Sequence, residues 1–376
     1  MRLLTTIASL FCAAVIPLTL SAAEKPVMML SYSEYIDPEI AKAYEAATGV
    51  KVQIDVYESQ DDMLAKLQAG GVSQYDIVVA TDVVVPTMIK LALVQKLDKT
   101  AIPNGVNIME KFKNPAFDPG NTYSYPYQWG TIGLMYATAK VKGDVSWALL
   151  FDEAKQPGPF VMMDEMRSMS GIAAMFLGYN ASTRKPEEIK ACGALLAKAK
   201  ASSKCIGFDG GVGGMNKVLA GEAVAAVVYN GDAVRNIMDE KFAYTVPKEG
   251  GILWVDNMLI CAKAPNKAGG EKFINHILDA KVGAQLSNFN RYATPNQASM
   301  PLITEADQKN TGIYPTAEQL KVCQFQEDVG AETKIYDQVW TAMKGERAAM
   351  YTSLHAHISW DEYRNTNGDG DEPVHP

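Results

Sequence analysis

Short apolar segments alternate with segments of helical periodicity along most of the chain, and this alternation restricts the possible folds most strongly. Residues 27–31, 75–80 and 223–230 have the apolar content that is typical of buried strands. Residues 185–201 and 271–289 have the spacing of amphipathic helices. The pattern predicts an α/β fold with a mostly parallel sheet, because strands that alternate with helices form crossover units.

The stretch LSYSEYIDPEIAKAYEAATGVKV places two tyrosines between a predicted strand and a predicted helix. Asp37 is suited to cap that helix, and Tyr44 lies on its apolar face. Tyr32 and Tyr35 therefore fall where a strand ends and a helix begins, the edge at which open α/β sheets bind ligands. The stretch alone leaves open that they are ordinary loop tyrosines.

The first 23 residues have the organisation of a secretory leader. Arg2 is followed by the apolar segment 3–20 and by the small residues Ser21, Ala22 and Ala23. This pattern predicts a signal peptide that is cleaved after Ala23. Since no later segment reaches the roughly 18 unbroken apolar residues of a membrane span, we expect a soluble, exported protein.

The net charge and the spacing of the cysteines limit which ligands and metal sites are expected. The formal net charge is −8, which disfavours nucleic acid and favours cationic partners. The cysteines beyond the leader have no CxxC spacing and no histidine pair with them, so we expect no zinc site. An exported protein can form disulfides. Cys192 and Cys205 are the best candidates by proximity, although two free thiols fit equally well.

Sequence signatures of catalysis are missing. The sequence has no GxSxG, HExxH or GxxxxGK[ST] motif, and we expect neither an enzyme nor a bound cofactor or metal. The end of the chain, residues 348–376, is polar and rich in turn formers. Asn365, Asn367 and Asp369 imitate the start of a calcium loop, but Pro376 stands where that loop needs a bidentate Glu. We interpret this extension as a solvated terminus.

Acidic and aromatic residues fall at the ends of the predicted elements. Trp254 and Asp256 interrupt an apolar strand, and no Lys or Arg of that strand can pair with the carboxylate. A buried carboxylate is costly unless it is paired. Similar positions are taken by Asp164, Glu165, Tyr229, Asp232 and Tyr292. Each has an ordinary explanation as a cap, a turn residue or part of a salt bridge, but together they describe a slot with aromatic walls and acidic ends.

Such a slot suits an organic ammonium ion. Cation–π contacts contribute about 0.5–2 kcal/mol each, and a hydrogen bond to a carboxylate adds about 1.5–3 kcal/mol. Aromatic rings also cover methylene groups, at about 0.8 kcal/mol for each CH₂ that is buried. These contributions, less the cost of ordering a flexible chain, are compatible with tight binding.

Several segments, in order, resemble the periplasmic spermidine/putrescine-binding proteins, the substrate receptors of bacterial ABC polyamine importers. The resemblance covers residues 28–345 and rests on the segments SYSEYIDPEIAKAYEAATGVKVQIDVYES, YDIVVA, FDPGNTYSYPYQWG, FLGYN, VPKEGGILWVD, YATPN and FQEDVGA. It implies the two-lobed, type II periplasmic-binding-protein fold, with a mostly parallel sheet in each lobe and a ligand cleft between the lobes.

The sequence shows no internal repeat and no long linker, so the lobes are expected to be joined by short, strand-like crossovers near residues 128–133 and 251–256. The N-terminal lobe is expected to comprise residues 24–130 and 254–296, and the C-terminal lobe residues 131–253 and 297–347.

The implied pocket combines matches with departures. Tyr35, Trp254, Asp256, Tyr292 and Gln326 match pocket residues of the family. In addition, Tyr32 and Tyr229 stand where the family usually has tryptophan, and Glu165 aligns with an acidic position. The predicted ligand-binding set is Tyr32, Ser33, Tyr35, Thr81, Glu165, Ser168, Tyr229, Asp232, Trp254, Asp256, Tyr292 and Gln326.

The departures bear on which amine is bound. Asp232 resembles the putrescine-type members, whereas spermidine-type members have a serine there. Ser168 falls where the family has a glutamate, and Val83 falls where spermidine binders carry an aromatic residue. We therefore expect a diamine such as putrescine in preference to spermidine, with a related amine or guanidino compound still possible.

The resemblance implies a periplasmic polyamine receptor that delivers its ligand to the membrane permease of an ABC importer, and a monomer is expected. The alternative is a periplasmic sensor that uses the same pocket to signal to a membrane-bound regulator.

Overall fold

The structure is a computed structural model that describes residues 25–57, 59–210 and 212–345. The predicted signal peptide, its cleavage site and the extension 348–376 lie outside the described residues. Among the helices of the described part, none has the length and apolar character needed to cross a membrane.

Strands and helices alternate along the described chain, with single-turn 3-10 helices between some of them. The strands are β1 Val27–Ser31, β2 Val52–Val56, β3 Ile77–Thr81, β4 Val94–Gln95, β5 Ser124–Ala137, β6 Phe160–Met163, β7 Cys205–Asp209, β8 Ala225–Tyr229, β9 Phe242–Thr245, β10 Ile252–Cys261 and β11 Gln324–Phe325. The α-helices are α1 Pro38–Thr48, α2 Gln60–Gln68, α3 Val85–Lys90, α4 Ala148–Phe151, α5 Met166–Phe176, α6 Pro186–Ala201, α7 Gly213–Leu219, α8 Asn230–Asn236, α9 Lys267–Ile277, α10 Ala280–Asn290, α11 Glu305–Gln308, α12 Ala317–Val322 and α13 Thr333–Lys344.

The strands form one mixed sheet in the order β2-β1-β3-β10-β5-β8-β6-β7, with β4 and β11 paired to β10 and β9 paired to β5. Pairing is parallel at both ends, where β1 pairs with β2 and β3, and β6 pairs with β7 and β8. In the centre, β10 runs antiparallel to β3 and β5, and β5 runs antiparallel to β8. The predicted α/β class is confirmed, and the parallel pairing predicted for it is found at the two ends of the sheet and in the short pairing of β11 with β10.

The two longest strands, β5 and β10, are neighbours at the centre of this sheet. Their register pairs Ile252 with Ile132 and continues to Asp256, which pairs with Gln128. The two segments that were expected to be crossovers, 128–133 and 251–256, therefore lie side by side. The division of the chain into two lobes at these segments stays a prediction.

The first strand, loop and helix form as the sequence predicts. Asp37 is the N-cap of α1 and accepts a hydrogen bond from the backbone N–H of Glu39. Gly49 ends the helix with a φ of 73°, a left-handed conformation that glycine adopts without strain. Tyr44 is buried and packs edge-on against Phe273, with 5.0 Å between ring centroids. It belongs to the core, as predicted.

The single helix predicted over 271–289 is wrong, because this segment contains parts of two helices, α9 and α10. Asp279 is the N-cap of α10 and accepts from the backbone N–H groups of Lys281 and Val282. The carbonyl oxygen of Leu278 is bound by side-chain amides of Asn107 and Asn296. These bonds replace the helical bonds that would continue through the junction.

Of the two alternatives for Cys192 and Cys205, a disulfide or free thiols, the structure shows free thiols. Cys192, buried in α6, and Cys205, at the start of β7, are free in the structure. Burial raises the pKa of the Cys192 thiol to about 12, so this thiol stays protonated at neutral pH.

Asp118 organises the entry to the central strand β5. Its carboxylate, only 1% exposed, accepts from the backbone N–H groups of Thr122, Tyr123 and Ser124 and from the Ser124 hydroxyl, at 2.8 to 3.1 Å. A buried carboxylate is stable when several donors replace water.

Replacing Asp118 with Ala should lower the free energy of unfolding by about 3 kcal/mol, because it leaves buried backbone N–H groups without an acceptor. Urea unfolding followed by circular dichroism measures the change. Asp239→Ala is the matched control, since Asp239 is exposed and pairs only locally with Lys241. It should change stability by less than about 0.5 kcal/mol. Equal effects of the two variants would contradict this role for Asp118.

Candidate functional site

Asp256 lies at the centre of the sheet. Its Cα partner on one side is Thr81 at the end of β3, and on the other side it is Gln128 in β5. The carboxylate is 5% exposed and accepts a hydrogen bond of 2.6 Å from the hydroxyl of Tyr35. Directly opposed residues of antiparallel strands share one face of the sheet. These three side chains therefore form a polar row across β3, β10 and β5.

Trp254 precedes Asp256 by two residues in β10 and so lies on the same face. Its strand partner is Gly130 of β5. A Cβ atom at position 130 would come within 2.6 Å of the indole carbon Cζ2 of Trp254. The glycine thus leaves the space in which the indole ring lies across β5.

Five predicted aromatic residues form a continuous chain of ring contacts. The contacts run from Tyr32 to Tyr35, Tyr292, Trp254 and Tyr229, with centroid distances of 5.6, 5.7, 5.1 and 5.8 Å in that order. All four contacts are edge-to-face, the geometry that the ring quadrupoles favour. Rings from separate parts of the sequence therefore line one region.

A carboxyl group lies beside three of these tyrosines. Tyr35 donates to Asp256, and Tyr229 donates to both oxygens of Glu165 at 2.7 and 2.9 Å. Asp232, in the first turn of α8, lies beside the hydroxyl of Tyr292. The aromatic chain and the acids therefore form one cluster.

The start of α5 adds the remaining polar residues of the predicted set. Glu165 is the N-cap residue of this helix, and the Ser168 hydroxyl donates to it at 2.9 Å. Gln326 reaches the same turn and donates from Nε2 to the carbonyl oxygen of Arg167 at 2.6 Å. Ser33 differs from the others. It is exposed in the loop before α1 and shares no hydrogen bond with the rest of the set in the described chain.

Sequence reasoning missed two buried polar residues, Asp82 and Gln128. Asp82 follows Thr81 at the end of β3 and accepts from its hydroxyl at 2.9 Å. The sequence pattern that could have indicated Asp82 is the one that indicated other acids of the site, an acidic residue directly after a buried strand. Gln128 is 1% exposed in β5. A polar residue in a long apolar strand could have indicated it, as it did for Asp256.

The acids of this cluster have raised pKa values. Burial raises the pKa of Asp256 to about 7, the Tyr35 hydrogen bond lowers it, and the charge of Glu165 raises it further. Burial also raises the pKa of Asp82 to about 7, with a further contribution from Asp256. Burial raises the pKa values of Glu165 and Asp232 as well. In each case, low polarity disfavours the charged form.

Within the described residues, no lysine or arginine forms an ion pair with any of these four acids. The positive charge of Arg235 lowers the pKa of Asp232, but the ion pair that Arg235 forms, at 2.8 Å, is with Glu34. The described residues also contain no cluster of acidic, histidine or cysteine side chains arranged for a metal ion. The site thus combines uncompensated acids with aromatic walls, which suits an organic cation.

The raised pKa of Asp256 makes the stability of the unliganded protein depend on pH. An ordinary carboxyl in the unfolded chain ionises near pH 4, whereas Asp256 holds its proton in the folded state up to about pH 7. The folded state therefore binds more protons between these values, and its stability falls as the pH rises through this range.

Asp256→Asn removes this titration. Wild type should lose on the order of 2 kcal/mol more unfolding free energy than the variant between pH 5 and pH 8. Urea unfolding at both pH values, without ligand, gives this difference. Parallel pH profiles of the two proteins would show that Asp256 has an ordinary pKa.

Comparisons with known proteins agree with this chemistry. The family described as bacterial extracellular solute-binding proteins matches residues 39–315. The spermidine/putrescine-binding periplasmic protein of Escherichia coli is 33% identical over 345 residues, which cover 90% of this chain and 98% of that protein. The putrescine/agmatine-binding protein of Pseudomonas aeruginosa is 30% identical, over 86% of this chain and 93% of that protein.

A solved structure gives the fold. The spermidine/putrescine ABC transporter substrate-binding protein of Streptococcus pneumoniae superposes with a TM-score of 0.76 at 26% identity, over 87% of this chain and 99% of that chain. The predicted periplasmic-binding-protein fold is confirmed by this likeness. The chain belongs to the family of bacterial extracellular solute-binding proteins and, as its sequence motifs predicted, to the relatives of the spermidine/putrescine-binding periplasmic proteins within it.

Proposed function

We propose that this protein is a periplasmic receptor that binds a polyamine and delivers it to the permease of an ABC importer. The observation that carries the proposal is the buried group of acids around Asp256, which lies against a chain of aromatic rings and has no ion pair with a lysine or arginine of the described chain. An ammonium ion would supply the missing positive charge. The names of the relatives, which refer to polyamine binding, support the same class of ligand.

In this proposal each kind of side chain has a separate task. The carboxylates of Asp256, Asp232 and Glu165 hold ammonium groups through charge-assisted hydrogen bonds. The rings of Trp254 and Tyr292, which are 5.1 Å apart, cover the methylene groups between the nitrogens. Tyrosine hydroxyls that already donate to the acids keep the carboxylates oriented.

The preferred ligand is a diamine such as putrescine. Asp232 matches the putrescine-type members of the family. Ser168 and Val83 replace a carboxylate and an aromatic residue, and a third ammonium group loses these contacts. The relative from Pseudomonas aeruginosa is named for putrescine and agmatine, so a guanidino end group belongs to the same proposal.

Transport requires exchange of the ligand between solvent and permease. The cluster joins Tyr35, which lies before α1, to Glu165 and Tyr229, from the other end of the sheet order. Closure of the two lobes, 24–130 with 254–296 and 131–253 with 297–347, would bring these residues around the amine. The protein would act as a monomer in the periplasm and would catalyse no reaction. The relatives reported above are named for binding and transport, which favours delivery over sensing.

Asp256→Asn should weaken the binding of putrescine by about 100-fold, because it removes the charge from the central acceptor. Isothermal titration calorimetry at pH 8 measures the loss. Asp239→Asn, at an exposed acid, is the control and should bind like wild type. Wild-type affinity in Asp256→Asn would refute the assignment of this carboxylate, and no binding of any diamine by wild type would refute the function.

Affinity should also depend on pH. Because the pKa of Asp256 is about 7 without ligand and the bound ammonium requires the ionised form, binding releases a proton below pH 7. The dissociation constant should therefore be about tenfold higher at pH 6 than at pH 8. Calorimetry in two buffers with different ionisation enthalpies detects the released proton. A dissociation constant that does not change with pH would show that the site is already ionised when empty.

A further inference from the structure

The amide of Gln128 is unexplained by the fold. The side chain is 1% exposed, and neither Oε1 nor Nε2 has a hydrogen-bond partner among the residues that the structure describes. Buried polar groups are nearly always paired, because an unpaired one loses its bonds to water without replacement. An amide with both atoms unpaired in the middle of a sheet therefore indicates a partner that is not part of the described chain.

The position of Gln128 limits what that partner can be. Gln128 is directly opposite Asp256, and two residues further along β5, Gly130 is directly opposite Trp254. The register is regular from residue 128 to residue 132 and shifts only beyond Asp256. Gln128, Asp256 and Trp254 therefore share one face of the sheet. The free amide lies on the face that carries the proposed amine site.

Thr81 completes the row on the other side of Asp256. Its hydroxyl donates to Asp82 at 2.9 Å, which uses its only proton. The oxygen of Thr81 can therefore act only as an acceptor toward a third group. The row thus offers three acceptors side by side: the hydroxyl of Thr81, the carboxylate of Asp256 and the Oε1 of Gln128.

We propose that Gln128 contacts the ligand and that the row Thr81, Asp256 and Gln128 is a subsite for one primary ammonium terminus, an inference that rests on the proposed amine-binding function. A primary ammonium has three N–H donors, one for each acceptor of the row. In this arrangement Oε1 accepts from the ammonium, and the carboxylate of Asp256, directly opposite in the strand register, is an acceptor on the same face for Nε2. The subsite therefore selects for terminal primary amines over N-methylated ones, which have fewer donors.

Gln128→Met tests this role, because methionine has a similar length and shape but neither amide atom. Putrescine binding at pH 8, measured by isothermal titration calorimetry, should weaken by about tenfold, the loss of one charge-assisted hydrogen bond. The thermal midpoint of the unliganded variant should not fall, since the change removes an unpaired polar group. Met135→Leu, a volume-conserving change further along β5, is the control and should bind like wild type.

Gln128→Glu provides the rescue. Glutamate keeps an acceptor oxygen at the same place whether it is ionised or protonated, so putrescine affinity should stay within about threefold of wild type or increase. Binding by Gln128→Met within twofold of wild type would overturn the inference, as would a Gln128→Glu variant as weak as Gln128→Met. In either case wild type would still bind putrescine and Asp256→Asn would still bind it about 100-fold more weakly, so the proposed function would stand. Failure of wild type to bind any diamine would refute both.

Discussion

The structure buries the carboxyl groups of Asp256 and Asp82, half-buries those of Glu165 and Asp232, and gives none of them an ion pair with a basic side chain of the described chain. Burial disfavours the ionised form of each acid, and a cluster of such acids raises the pKa of its members further. The chain tolerates this arrangement in part because tyrosine hydroxyls donate to the acids. A cation that enters the cluster meets acceptors that are already oriented, and its charge removes the electrostatic penalty of their ionisation.

The central antiparallel strands make this cluster possible. Asp256 and Trp254 lie in β10, where all ten residues are buried; both pair with β5, and Asp256 also pairs with β3. Side chains on a central strand have little freedom, because neighbours on both sides fix the backbone through hydrogen bonds. Asp256 and Trp254 are thus carried by a rigid part of the sheet, whereas Glu165 and Asp232 lie at the starts of α5 and α8. Tyr32 and Tyr35 come from a loop, and the Tyr35 hydroxyl donates to Asp256.

Much of this could be predicted from local sequence signals. The capped helix α1, the buried strands and the acids at strand ends each have a pattern that a short segment carries by itself, and the resemblance to a family ordered them into one site. The break between α9 and α10 could not be predicted by periodicity, because it depends on Asn107 and Asn296 binding the Leu278 carbonyl from elsewhere in the fold. Gln128 offered the same kind of local signal as Asp256, a polar residue inside a strand, but its place beside Asp256 depends on which strand lies opposite it.

The contact between Trp254 and Gly130 has a practical consequence. The missing side chain at position 130 lets the indole lie against the backbone of β5, in edge contact with Tyr229 and Tyr292. An indole held in this way emits light according to its immediate surroundings, and here these include the acids and rings of the cluster. A ligand held in the cluster would change these surroundings, so the contribution of Trp254 to the emission of the five tryptophans is expected to report occupancy without any added dye.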